Sequence, residues 1–290
     1  MAQHVWMAAP HDPPRQGLSW LKVLVSGFGL FVLTTVVMFV TQNPNLYPTV
    51  ILIGNFLIPV VFVTFLYHHQ HLSALTLPTV AQSFFIGGLL GVLLASILEP
   101  VLVPVPANPN AGLPLSSAMI VGLVEEGCKI AAVAWLSRRV RHTAQMDGLL
   151  LGAAVGMGFA ALESMGYAFS IFVMSRGQVG ASIMETLLRG VLSPFGHGCW
   201  TGILGAVLFR QSAPNDFRIN GPVVLTYLFV TVLHGLWDGL PHTLYLIVPP
   251  GIPISVATLT LSVTGIVALA VLYRQALHQE RQQAVPAPAA

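Results

Sequence analysis

Three ionisable side chains stand inside an apolar run of the sequence: Glu125, Glu126 and Lys129, in the stretch Gly122 to Lys129, GLVEEGCK. A charged side chain near the centre of a membrane-spanning helix costs about 2.5 to 3.5 kcal/mol on insertion scales. Three of them forfeit roughly 8 to 10 kcal/mol, comparable with what about twenty apolar residues supply, so they are kept for a purpose. Glu125 and Lys129 are four residues apart and share a helix face, and Glu126 reaches the same ammonium from three residues away. Two carboxylates this close do not easily both ionise in a dry site unless a cation relieves the repulsion or one keeps its proton. That suits one glutamate to general-base work and the other to ligating or orienting. The plainer alternative is a salt bridge that holds helices together.

Further polar residues interrupt later apolar runs: Glu163, then His197 in HGCWTG, then His234 and Asp238 in HGLWDG. With a rise of about 1.5 Å per residue, Glu125, Glu163 and His197 each lie roughly 15 Å from the outer end of their helix, and His234 roughly 9 Å from its own. Groups at similar depth on four helices face one another or a wet cavity, because lipid tails leave them unsatisfied. His234 and Asp238 are one helical turn apart and point the same way. Two imidazoles and a carboxylate with a position left for water is an arrangement of catalytic zinc; the candidate ligands are His197, His234 and either Glu163 or Asp238. Water activated there attacks a carbonyl. Cys128 and Cys199 are each two residues from a site candidate, a rotation of about 200°, and read as small packing residues. His68, His69 and His71 crowd a loop away from this cluster.

The elements that must position these groups are membrane helices. Of the 290 residues, 55% are hydrophobic and 8% charged, against about a quarter charged in soluble domains. The composition predicts an all-α polytopic helix bundle of about eight transmembrane helices: 18–40, 48–67, 83–103, 115–137, 147–173, 187–209, 222–240 and 252–273. Residues 1–17 form a polar cytoplasmic segment, 18–274 the membrane-embedded unit and 275–290 a disordered cytoplasmic tail. The first apolar run is longer than a signal-peptide core and reads as an uncleaved span. Lys and Arg gather in alternate loops, which puts both termini in the cytoplasm. A formal charge of +2 with scattered basic residues excludes a nucleic-acid surface. Gly152 and Gly156 are spaced for close helix approach, and Pro194 with its flanking glycines predicts a kink just before His197. Glu185 and Arg189, one turn apart, read as an interfacial pair.

Taken in order, Glu125-Glu126-x-x-Lys129, Phe159 and Glu163 in GMGFAALES, His197 and His234-x-x-x-Asp238 resemble the PrsW family of intramembrane metalloproteases, grouped with the CAAX prenyl proteases and bacteriocin-processing enzymes. The likeness covers about residues 115–240. It departs from the broader pattern in Lys129 for an arginine, Glu163 for a histidine and Ser164 where relatives often have asparagine. The resemblance implies peptide-bond hydrolysis within or at the edge of the membrane. Glu125 would activate water, Glu126 would assist or hold local charge, and His197, His234 and Asp238 would ligate a metal, zinc being expected, or polarise the scissile carbonyl directly. It further implies a multi-pass protein of a bacterial inner membrane, a single-span membrane protein or peptide as substrate, and a role in shedding membrane-bound regulators. Buried carboxylates and histidines also mark ion pathways, so a proton-coupled transporter is the competing reading, and a non-catalytic scaffold a third.

Overall fold

The structure, a computed structural model, describes residues 19–69, 73, 75–104, 112–138, 145–213, 216–240, 244–248 and 252–283. Helix α1 (Ser19–Thr41) is followed by a short 3-10 turn and α2 (Tyr47–His69). The next span is continuous from α3 (Leu77–Gln82) through a π-helical segment, Ser83–Gly87, into α4 (Gly88–Leu102). Then come α5 (Leu115–Ser137), α6 (Gln145–Met174), α7 (Val179–Leu192), α8 (His197–Gln211) and α9 (Gly221–Gly239). A two-stranded antiparallel hairpin, β1 (Tyr245–Val248) with β2 (Ile252–Ser255), leads into α10 (Val256–Gln283).

Seven stretches of the described residues are long and apolar enough to cross a membrane, with α7 and α8 joined into one. Helix α5 has the same 23-residue length as α1 and α2 but carries Glu125, Glu126 and Lys129 in its middle. Counting it as a crossing gives the eight helices expected.

The bundle is built around α6. In the most apolar part of that helix 83% of residues are buried, against 11% in α1, which lies at the periphery. A helix apolar all round has to be central. Helix α8 packs beside it through a ladder of small residues. A Cβ added at Gly148, Gly152 or Gly156 would strike the backbone carbonyl of Gly205, Thr201 or His197 respectively. The four-residue spacing keeps all three on one face of α6, and the contact brings the start of α8 against the middle of α6.

Several boundaries differ from those read in the sequence. The span expected at 187–209 is two helices separated by a 3-10 turn at Ser193–Phe195, so Pro194 and Gly196 end a helix where a kink was expected. The last span starts at Val256, because 252–255 pair with 245–248 as strands. It also continues to Gln283, so 275–283 are helical where a disordered tail was expected. The N-terminal segment 1–17, His71 and residues 284–290 lie outside the described residues.

Candidate active site

Helix α5 approaches α9 closely because Gly122 has no side chain. A Cβ there would stand 2.8 Å from the Thr231 carbonyl oxygen and 3.1 Å from the His234 Cβ. One turn further along α5, Glu125 and Glu126 therefore come level with His234. His197, the first residue of α8, enters from the other side after Gly196, whose φ and ψ of −91° and −91° leave the helical region.

Lys129 ties the cluster together. Its Nζ donates to Glu125 Oε2 and Glu126 Oε1, both at 2.9 Å, and to His197 Nδ1 at 2.8 Å. The same ammonium lies 3.9 Å from the centre of the Phe159 ring, so its remaining face meets a π-system. Glu125, Glu126, Lys129, His197 and His234 are all buried.

Each histidine turns one nitrogen outward to a carboxylate and one inward. His234 Nδ1 is 3.0 Å from Glu126 Oε1, and Glu126 Oε2 also accepts from the Thr201 hydroxyl at 3.1 Å. His197 Nε2 is 3.1 Å from Glu163 Oε2, which Arg189 Nη2 also meets at 2.9 Å. Both outward carboxylates thus have a cation behind them, Lys129 for Glu126 and Arg189 for Glu163. The inward nitrogens converge on one oxygen: Glu125 Oε2 is 3.5 Å from His234 Nε2 and 3.9 Å from His197 Nδ1. Among the described residues, Glu125, His197 and His234 form the one group whose donor atoms lie within 4.8 Å of one another.

These donors fit a divalent metal ion. The two imidazoles and the carboxylate are close enough to share an ion once the Lys129 ammonium, 2.8 Å from His197 Nδ1, turns away from that nitrogen, and both outward ring nitrogens meet the carboxylates that orient such ligands in metal sites. His234 Nε2 also lies 3.4 Å from Asp238 Oδ2, so this nitrogen faces two carboxylates.

The seven residues singled out in the sequence thus fall in one connected network. Glu163 reaches the centre only through His197, and Asp238 stands at the rim beside His234 with 31% of its side chain exposed. Arg189 pairs with Glu163 rather than with Glu185. Sequence reasoning missed Arg189 as part of this network, and no spacing marks it, since its partner is on another helix. Thr201 was also missed, although it stands one turn after His197 on the same face of α8. Cys128 and Cys199 are buried and free. His68 and His69 bond the Thr64 and Phe65 carbonyls at the end of α2.

A cavity of about 570 Å³ opens onto the cluster between α4, α5 and α6 and is lined by Glu99, Glu125, Phe159, Glu163, Tyr167 and Asp238 among others. A smaller one, about 260 Å³, lies on the other side of Asp238 between α7, α9 and α10.

The profile of the PrsW family of intramembrane metalloproteases matches residues 76–273. The chain belongs to this family. It is 27% identical over 196 residues to Protease PrsW of Halalkalibacterium halodurans, covering 64% of this chain and 82% of that protein. It is 30% identical over 128 residues to Protease PrsW of Clostridioides difficile, covering 42% of this chain and 50% of that one. No solved structure matches the chain. As a PrsW-family member it is a multi-pass membrane protein and an intramembrane peptidase. The match takes in every residue of the buried cluster.

Proposed function

We propose that this peptidase cuts a single-span membrane protein, of which a membrane-bound regulator is one example, with Glu125 as the general base. The observation that carries the reading is the unequal placement of the paired glutamates. Glu125 lines the 570 Å³ cavity, whereas Glu126 is 0% exposed and committed to Lys129, His234 and Thr201. Glu125 directs Oε2 at Lys129 and His234, leaving Oε1 for a water in the cavity. Glu125 takes a proton from that water as its oxygen attacks the scissile carbonyl, then returns it to the leaving amine. Lys129 holds the base in place throughout. Glu126 and Glu163 fix the two imidazoles through their outward nitrogens, and Asp238, between the two cavities, is placed to bind the substrate backbone or steady His234. Held by Glu125, His197 and His234, a divalent ion such as zinc would supply Lewis acidity toward the carbonyl and the water. The cavity is bordered by Val103, Pro104 and Leu113, at the ends of α4 and α5. The loop between them carries no Lys or Arg, and we assign that end to the outer face, with both termini cytoplasmic.

The test is cleavage of a labelled single-span substrate library by the full chain reconstituted in vesicles. Glu125→Gln should lower the rate by at least about 10²-fold, and His234→Ala should lower both the rate and the metal content of the purified protein. Cleavage unchanged in Glu125→Gln would rule this assignment out.

A further inference from the structure

The largest fully buried side chain among the described residues is that of Trp200, and it lies against both histidines of the site. It stands three residues after His197 on the same face of α8, and α9 brings His234 up to it. The indole and the His234 ring have centroids 4.9 Å apart at 34°, and the indole meets the His197 ring edge-on at 5.6 Å and 68°, both within the range of favourable aromatic pairs. His197 has a second aromatic neighbour in Phe159, at 5.5 Å and 37°. The indole is itself wedged in place. Its Cη2 lies 2.9 Å from where a Cβ would stand at Gly196, its Nε1 lies 3.3 Å from that of Gly265 on α10, and Trp237 is edge-on to it at 5.7 Å. Nε1 is buried and has no hydrogen-bond partner among the described residues. An unpaired buried donor is unfavourable, and phenylalanine would avoid it, so stability alone does not call for an indole here.

We propose that Trp200 is a positioning residue whose indole sets the tilt of both imidazoles, and of His234 above all. This rests on the roles given to the two histidines above and adds the residue that orients them. The torsion that turns an imidazole about its Cβ–Cγ bond is broad, and a hydrogen bond tolerates a bend of about 30°. Glu126 and Glu163 therefore decide which nitrogen of each ring points outward without fixing the plane of either ring. A flat, immobile surface does fix it, because a ring that tilts away loses dispersion contact along its edge. The centroids of the two imidazoles are 5.0 Å apart. A bicyclic indole is wide enough to support both, and a phenyl ring in its place is too short. His197 keeps Phe159 as a second support, whereas Trp200 and His197 are the aromatic neighbours of His234 among the described residues.

The experiment compares Trp200→Phe, Gly265→Ala and Trp135→Phe with the wild-type full chain in vesicles, below the thermal midpoint of each. It reads kcat and KM on a single-span peptide, the thermal midpoint, and the visible absorption of protein loaded with Co²⁺, which reports the arrangement of the ligands. Trp200→Phe should lower kcat by about 10- to 100-fold, with KM within about twofold and the midpoint within about 4 °C of wild type. Gly265→Ala keeps the tryptophan but pushes a Cβ against its Nε1. Alanine favours the helix, so the midpoint should hold or rise while kcat falls at least about threefold. The Co²⁺ band should shift in both variants. Trp135, half-exposed on α5, is the control, and its change to Phe should alter none of these readouts. A fall in activity in Trp200→Phe that follows a lowered midpoint, with the Co²⁺ band unmoved, makes Trp200 a packing residue and overturns the proposal. Loss of cleavage in His197→Ala and His234→Ala beside wild-type kcat in Trp200→Phe leaves the site standing and overturns Trp200 alone. Full cleavage by both histidine variants removes the roles of the histidines, and the proposal with them.

Discussion

At the scale of single residues, what distinguishes this site is how its two histidines are held. An imidazole is useful at a metal or as a donor only when one nitrogen is committed and the other free. Here Glu126 and Glu163 make that commitment, each with a cation behind it, while the second nitrogen of His197 accepts from Lys129 and becomes available only when that ammonium turns away. Lys129 was legible as a partner of the paired glutamates from spacing alone, because residues three and four apart on a helix always meet. Arg189 was not. It meets Glu163 from 26 residues away while stacking 3.9 Å from the centre of the Tyr167 ring, and only the packing of α7 against α6 determines that it chooses Glu163 over Glu185. Removing its charge frees Glu163 to swing away from His197. Arg189→Gln should therefore lower kcat by about 10- to 100-fold and weaken metal binding by a similar factor. KM should change little, and Arg189→Lys should recover part of the loss. Metal titration of the purified variants checks this separately from turnover. A fall in thermal stability with metal affinity intact would mean that Arg189 serves packing alone.

At the scale of elements, the site depends on two close helix approaches and one break. The glycine ladder of α6 sets the distance to α8, and Gly122 sets the distance between α5 and α9. The break at Ser193–Phe195 lets α8 begin with His197 at the depth of Glu125 instead of carrying that residue in mid-helix. Gly152, Gly156 and Pro194 announced close packing and a disturbed helix, since small residues and proline act through their own sterics. Which helices would pair could not be read, because a small-residue face does not name its neighbour. Gly156→Leu forces a side chain into the His197 backbone and should destabilise the bundle by about 1 to 3 kcal/mol, with loss of activity although no polar group is altered. Gly166→Leu is the control, since a Cβ there meets nothing within 4 Å. Thermal unfolding in detergent alongside the cleavage assay separates the two. Equal damage from both would show that helix spacing is not what the ladder provides.

At the scale of the whole molecule, the expectation to test is that α5, as long as α1 and α2, crosses despite the charges that spoil its hydropathy. With it there would be eight crossings, and the chain would return to the side on which it began. Tags at residues 1 and 290 should show the same protease protection in sealed vesicles, and cysteines introduced at 113 and 138 should label from opposite sides. Labelling of both from one side would take α5 out of the membrane. The all-helical membrane bundle, the approximate limits of most spans, the polar residues among them and the family likeness followed from the chain as written, because hydropathy over about twenty residues and a fixed helical rise are local properties. The division of labour within the site did not follow. That Glu125 reaches the cavity while Glu126 lies behind it, and that Glu163 stands one residue removed from the centre, depend on the rotation and depth of helices whose contacts join residues as distant as Glu126 and His234, 108 positions apart. Side-chain identity is carried by the local chain, but the direction in which a buried charge points is decided by whichever distant helix packs against it.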